Sequence, residues 1–346
     1  MIRFSKIFLT LTILLLLLWQ LPWCYAFFAS KSNEKAPFSL YSRLSGDFIS
    51  MVQGQDGKGI KRVDTRGNEY SQEEVDSLLP FFYMRQLMSE ERFPDTICDV
   101  AVTPREAQMS NFSFRSNPAD INSPKAPLYP LLESLSGRVE LTMPNDVFRI
   151  TKQGIEFIVR ETNEIDESKS RTFTEAMKKK GFVFPQRAIA GNPTTRKEYD
   201  EGYLLLDAEG KLFNLKRVRN RPYVRAIKLP EGVEMKHLYV TENKDKKTLG
   251  YLTDVAHHFY VLNAGSYDVI QTGIPSFDPE EESMSIFGNM LDWTICIKSP
   301  QATRYYAIDA KSYQLIKEVT FESQSGSRQL LHFTSYRDNE VRPRLF

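Results

Sequence analysis

Residues 202–218 read Gly-Tyr-Leu-Leu-Leu-Asp-Ala-Glu-Gly-Lys-Leu-Phe-Asn-Leu-Lys-Arg-Val, and this stretch decides the fold class. Strand-like runs at 202–206 and 212–218 flank Asp207-Ala-Glu-Gly210, a turn whose Gly tolerates the positive φ that closes a tight reversal. The same order, Asp, two residues, Gly, two residues, aromatic, stands earlier as Asp64-Thr-Arg-Gly-Asn-Glu-Tyr70, after strand-like runs at 47–52 and 59–63. Downstream, short apolar runs recur at 223–227, 238–241, 249–253, 258–262, 283–287, 293–297, 304–308, 314–319 and 330–334, with Gly, Pro, Asn, Asp and Lys between them. Strands in such number, without alternating helices, argue against a parallel α/β sheet. The expectation is a mainly β protein with a propeller-like or multi-sheet antiparallel architecture, although neither a blade-length period nor a WD or kelch signature is visible.

Composition agrees with this reading. Phe 23 and Tyr 16 bring the aromatic share to 12%, a bias toward strands. Lys plus Arg at 45 against Asp plus Glu at 44 leaves a net charge of +1, so no basic excess exists to hold a nucleic-acid backbone.

The N-terminus stands apart. Residues 7–30 carry no charge, and Arg3 and Lys6 precede them. The run from Ile7 to Phe28, about 22 residues at 1.5 Å each, is long enough for a hydrocarbon core of about 30 Å. Ile7, Leu14 and Leu18 represent its apolar body, and Trp19, Trp23 and Phe28 lie at the far end, where amphipathic rings favour the interface. A single-pass anchor is expected. With Arg3 and Lys6 on the cytoplasmic side, the bulk of the chain lies in the periplasm of a bacterial inner membrane. A cleaved signal peptide is the competing reading, and Trp23 before Cys24 disfavours lipoprotein processing. The chain then divides into an anchor or uncleaved signal at 1–30, a polar stalk at 31–37 and a β-rich domain at 38–346.

Two helical insertions are expected, near 71–91 and 167–180. Ser71-Gln-Glu-Glu74 is a capping box, and Pro80 suits the first turn of a following segment whose apolar face is Phe81, Phe82, Met84, Leu87 and Met88. The second closes on Lys178-Lys-Lys180 before Gly181, a favourable helix C-terminus and a weak nucleic-acid patch. Residues 117–130, with four prolines, read as a long surface loop. Cys98 and Cys296 are the cysteines of the exported part, either a disulfide or two unpaired thiols.

Leu79-Pro-Phe-Phe-Tyr-Met-Arg-Gln-Leu87, Arg92-Phe-Pro-Asp95, Leu128-Tyr-Pro-Leu-Leu-Glu-Ser134 and the run from Ala190 to Asp207 together resemble an uncharacterised envelope family of Bacteroidota, a domain of unknown function spanning nearly the whole chain. Genes of that family often lie beside ABC-transporter components. The resemblance implies an exported, anchored, β-rich protein with an ABC permease as a partner, and it supplies no catalytic residues. In that setting Thr96 and Ser77, each following an Asp and preceding an apolar residue, are O-glycan acceptor candidates.

Motifs for chemistry are scarce. A serine-hydrolase elbow, a P-loop and a zincin helix are all lacking, and no metal or cofactor is implied. His257 and His258, read as neighbours on a strand, point to opposite faces and do not share a metal easily. The Gly-rich run 53–59 reads as a hairpin loop rather than a phosphate cradle, and the acidic run 278–282 as a solvated loop rather than a Ca²⁺ site. Asp254, Asp292 and Asp309 fall near strand ends, where two of them could form a glycosidase pair. Tyr251, Tyr260, Trp293 and Tyr305, with Tyr306, are aromatic candidates for stacking on a ligand, against the reading that aromatics of strands fill sheet interiors. The expected function is a non-enzymatic, membrane-anchored envelope accessory or scaffold protein. The alternative is a periplasmic glycan- or peptide-binding module or a glycan-active enzyme.

Overall fold

The computed structural model describes residues 2–29, 36–53, 59–135, 137–322, 331–334 and 342–345. Contacts divide the chain into two units, one holding 1–36, 300–303 and 321–346 and the other 37–299 and 304–320. The stalk residues 30–35 and the core of the Gly-rich loop, 54–58, lie outside the described residues.

The first unit begins with α1 (Ile2–Ala29), and its Phe4–Leu21 stretch is long and apolar enough to cross a membrane, as an anchor or as a signal sequence. Ile7, Leu14, Leu18 and Trp19 are all half exposed or more, so much of their apolar surface stays open. Water penalises such a surface in proportion to its area, and a lipid core does not. The side chains of Trp23 and Phe28 lie outside the described residues.

The second unit opens with an antiparallel meander of β1 (Phe38–Ser42), β2 (Asp47–Gln53), β3 (Ile60–Asp64) and β4 (Glu69–Tyr70). Then come α2 (Gln72–Leu78), α3 (Met84–Ser89), the small hairpin of β5 (Thr96–Ile97) and β6 (Val100–Ala101), α4 (Pro104–Ser110), β7 (Phe112–Ser116) and α5 (Pro118–Asn122). A hairpin of β8 (Asp146–Ile150) and β9 (Ile155–Val159) leads into α6 (Glu167–Lys179). Three more meanders follow. The first joins β10 (Ala188–Gly191), β11 (Tyr203–Leu206), β12 (Leu212–Val218) and β13 (Arg221–Ile227). The second joins β14 (Met235–Val240), β15 (Thr248–Asp254), β16 (Phe259–Asn263) and β17 (Val269–Gln271). The third joins β18 (Ser283–Gly288), β19 (Asp292–Lys298), β20 (Ala302–Asp309) and β21 (Leu315–Glu322), and β7 pairs with the β18 edge. The first unit also contains the hairpin of β22 (Leu331–Thr334) and β23 (Arg342–Leu345).

The expected mainly β, multi-sheet antiparallel fold is what the chain adopts, and its four-stranded up-and-down sheets are propeller-like. Side-chain alternation explains how they stack. On β15 and β16, Tyr251, Phe259 and Val261 face one way, where Ile286, Trp293, Ile295 and Ile308 of the next sheet meet them. Leu252, Tyr260 and Leu262 face the other way and meet Leu204, Leu206 and Leu212 of the preceding sheet. Successive residues of a strand point to opposite faces, so a sheet covered on both sides buries every position, as all seven residues of β15 are. Tyr203 and Leu205 repeat this on β11, packing on Phe148, Phe157 and α6's Phe173. The first sheet of the unit lies against the last: Tyr41 N donates to Thr294 Oγ1 at 2.9 Å, and Lys317 Nζ is 2.8 Å from Asp47 Oδ1.

Aspartates close the hairpins with one geometry. Asp64, Asp207, Asp254 and Asp309 each accept two backbone N–H bonds on Oδ1, from Arg66 and Asn68, Glu209 and Lys211, Ala256 and His258, and Lys311 and Ser312. Gly67 and Gly210 supply the positive φ in the first two, as the repeated sequence pattern predicts, while His257 (φ 65°) and Tyr313 (φ 58°) supply it in the others. His257 and His258 therefore sit in a turn rather than on a strand, a correction to the sequence reading; β16 begins at Phe259.

The capping box at Ser71 and Glu74 forms as expected, and α6 ends on Lys178 and Lys179 with Gly181 at φ 88°. The second helical segment starts later than Pro80, because residues 79–83 form a turn in which Phe82 N and Tyr83 N both donate to Leu79 O. Of its expected apolar face, Leu87 is buried, whereas Phe82 and Met88 are exposed. The expected loop at 117–130 contains α5, which starts on Pro118.

Candidate functional site

A cleft of about 350 Å³ opens in the second unit, within the size range of about 300–1,000 Å³ typical of small-ligand sites. Five pieces of chain build it. The end of β1 with its following turn brings Tyr41, Arg43 and Leu44, and the segment after α2 brings Leu79, Phe81 and Phe82. Ile97 of β5, Asn111 to Ser113 at the start of β7 and the β18–β19 hairpin complete the wall. The lining is mainly apolar, and two of its rings, Phe82 and Phe287, meet edge-on at 6.4 Å with Phe38 packed on both from outside the lining.

Asp292 is the group that stands out in this wall. It is 3% exposed, and its carboxyl has one side-chain hydrogen bond, from Asn289 Nδ2 to Oδ1 at 3.2 Å. Burial pushes its ionisation up to about 7, with Asp309 adding to the rise and the Asn289 bond and Arg43 opposing it. The hairpin fixes the placement: Asn289 Oδ1 accepts from Leu291 N and Asp292 N, which holds Asp292 at the first position of β19. Arg43 gives one of its guanidinium donors to Asp309, with Nη2 3.3 Å from Asp309 Oδ2. Asn111 donates through Nδ2 to Phe81 O at 2.8 Å, which fixes its amide orientation, and its Oδ1 is buried without a partner. A buried carboxyl titrating near neutrality in a cleft is the usual physical mark of a ligand or proton-transfer site.

The three aspartates expected near strand ends have different fates. Asp309 pairs with Arg43, and the charges of both act on Asp292, whereas Asp254 is a turn residue that also accepts from Tyr260 OH at 2.9 Å and lies 2.8 Å from His258 Nδ1. Asp309 spends Oδ1 on its own turn and Oδ2 on Arg43, and these contacts outweigh its burial and hold its carboxyl below the usual range. Asn111 and Arg43 were not singled out by the sequence. Nothing local marks either of them, because their significance comes from what distant strands put beside them.

The aromatic ligand candidates require a correction. Tyr251, Tyr260, Trp293 and Tyr305 are 0%, 1%, 4% and 3% exposed, and Tyr306 is 4% exposed, so all five fill sheet interiors rather than offer stacking faces. Both remaining thiols are free, and no disulfide joins them: Cys98 stands exposed in the β5–β6 turn with φ 49°, while Cys296 is buried in β19, where burial raises its thiol pKa. Thr96 is exposed on β5. Ser77 is exposed on α2, where its hydroxyl accepts from Arg92 Nη2 at 2.9 Å. The acidic run 278–282 is organised by its own bonds, with Asp278 N donating to Glu282 Oε2 and Glu282 paired to Arg304. Among the described residues no group of His, Cys, Asp and Glu has metal-binding proximity.

No curated protein matches the sequence. Solved structures match weakly. Hydrazine synthase of Kuenenia stuttgartiensis aligns at 11% identity over 58% of this chain and 51% of that one, with TM-score 0.28, so this chain spans about half of that protein. The Dos1 propeller aligns at 9% identity over 86% and 66% of the two chains, with TM-score 0.30. The WD40 domain of SCAP from fission yeast aligns at 10% identity over 91% and 88%, with TM-score 0.34. Likenesses of this size carry nothing about what the chain binds. A family model described as Domain of unknown function (DUF4857) matches residues 38–308, which is most of the chain, and the protein belongs to that family.

Proposed function

We propose that this protein is a non-enzymatic accessory of the bacterial cell envelope, tethered to the inner membrane by α1 with its β unit in the periplasm, where it engages a membrane complex such as an ABC permease. The observation that carries this reading is an apolar helix, uncharged after Lys6 and with exposed side chains, ahead of a fold rich in β sheet. Arg3 and Lys6 at its start support an N-terminus on the cytoplasmic side. The transporter as partner rests on the resemblance of the quoted segments alone. Crosslinking in intact membranes, followed by purification and mass spectrometry of the mature N-terminus, tests it. Recovery of residues 7–28 together with transporter subunits supports the proposal; a cleaved domain without membrane partners refutes it.

A second reading is favoured by the cleft around Asp292: a periplasmic ligand-binding module, with glycans or peptides as the ligand class. It predicts saturable thermal stabilisation by such a ligand, since anything that binds only the folded state raises its stability. A flat response across peptides and oligosaccharides would leave the accessory reading alone.

A further inference from the structure

The cleft wall holds two under-satisfied acceptors, and they point to a ligand. Asp292 is buried with one side-chain hydrogen bond, and Asn111 Oδ1 is a buried acceptor with no partner at all. Thr294 Oγ1 and Asn289 Oδ1 already accept from backbone N–H groups. Arg43, the cation nearest the carboxyl, is bonded to Asp309. The remaining wall is hydrocarbon and aromatic, and Phe82 and Leu44, 47% and 46% exposed, offer apolar surface beside it. Buried acceptors left without donors cost free energy, and a donor-bearing guest recovers it.

We propose that the cleft binds a primary ammonium group carried on an apolar or aromatic body, with the ammonium donating to Asp292 and Asn111 and the body lying against Phe82, Phe287 and Leu79. This rests on the ligand-binding reading of the cleft. A carboxylate guest would bring a second acid beside Asp292, and a neutral apolar guest would leave both acceptors unsatisfied. The groups around Asp292 are Tyr41 and Arg43 from β1 and its turn, Asp309 from the end of β20, Asn289 from its own hairpin and, beyond Tyr41, Cys98 from the β5–β6 turn. Tyr41 is held protonated by burial, so Asp292 is the group here that changes charge near pH 7. An ammonium pairs with the ionised carboxylate, so affinity should fall about tenfold for each pH unit below 7.

The test is calorimetric titration of the full chain in detergent with phenethylammonium, 2-phenylethanol and 3-phenylpropionate, from pH 5.5 to 8. The expected result is saturable binding of phenethylammonium, at least about tenfold tighter than the other two, weakening on acidification and losing that pH dependence in Asp292→Asn. Ser113→Trp, an exposed position at the cleft wall, should abolish binding with the circular dichroism spectrum unchanged. A parallel arm with the peptide Phe-Gly-Gly amide separates peptide N-termini from free amines as the source, and binding by either supports the proposal. Equal binding of the alcohol, or preference for the carboxylate, overturns the ammonium assignment while keeping a ligand site. Absence of binding by all four probes overturns the assignment and the ligand-binding reading together. Phenethylammonium binding that survives both substitutions places the site elsewhere and also overturns it.

Discussion

Replacing Asp292 by Asn is expected to stabilise the protein at alkaline pH and to leave it unchanged near pH 4. The folded carboxyl keeps its proton up to about pH 7, whereas an unfolded one releases it near 3.8. Between those values the folded state holds the extra proton, so wild-type stability falls as pH rises from 4 to 7 and the cost is complete above 7. The difference between 3.8 and about 7 corresponds to about 4 kcal/mol at alkaline pH. Asn is isosteric and uncharged, so it escapes this cost. Urea unfolding of the full chain in detergent, followed by tryptophan fluorescence at pH 4.5, 6 and 8, reads the gap between variant and wild type. Asp47, Asp64 and Asp254 ionise below the usual carboxylate range, and their acid-side losses are common to both proteins and cancel in the difference. A gap that is constant with pH, or a variant less stable than wild type at pH 8, would refute the reasoning.

Lys197 is bonded to Asp200 at 2.5 Å and Glu242 at 2.6 Å with all three side chains nearly inaccessible, so Lys197→Met should cost about 3–5 kcal/mol in chemical denaturation at pH 7.5. Part of that loss should return at pH 5, because burial already holds the Asp200 carboxyl up to about 6 and protonation removes the unpaired charge. Gly202 has φ 67°, and a Cβ there would lie 2.1 Å from Leu215 O, so Gly202→Ala should prevent soluble expression, while Gly232→Ala, with open space around it, should not. Asp254→Ala removes the acceptor for two backbone N–H groups and Tyr260 OH and should lower stability by about 2–4 kcal/mol; an unchanged urea midpoint would contradict the structural role of the turn. For Asp64, held at about 2 despite burial by bonds from Asn68, Tyr70 and Arg66 N, stability should be lost as pH falls from about 4 toward 2, and Asp64→Asn should flatten that acid limb.

The strands were legible where both faces are covered. Residues 212–218 were read with the same bounds as β12, and 283–287 and 293–297 fall within β18 and β19, because short apolar runs between turn formers have few other readings. By contrast β7, Phe-Ser-Phe-Arg-Ser, was missed: it pairs with β18, far along the chain, and partner identity leaves no local trace. The capping box of Thr103 and Glu106, which starts α4 just ahead of Pro104, is a local signal that the sequence reading passed over. The cleft was only partly legible. Asp292 stands in the sequence as an acid near a strand end, but its surroundings depend on Arg43 meeting Asp309, 266 positions away along the chain. The aromatics misled in the opposite sense, since composition counts rings and cannot tell a covered face from an open one.

The pairing of β7 with β18 also dictates when this protein can become itself. A chain synthesised N-terminus first presents Phe112–Ser116 well before its edge partner Ser283–Gly288 has emerged, and β1 waits still longer for Thr294 on β19. Until then the early strands carry open hydrogen-bonding edges of the kind that recruit neighbouring chains. Late, long-range closure of this sort slows folding and makes its completion cooperative. Premature termination anywhere before residue 283 would therefore yield sticky fragments rather than a smaller working module, and holding chaperones would meet this chain as an unfinished edge.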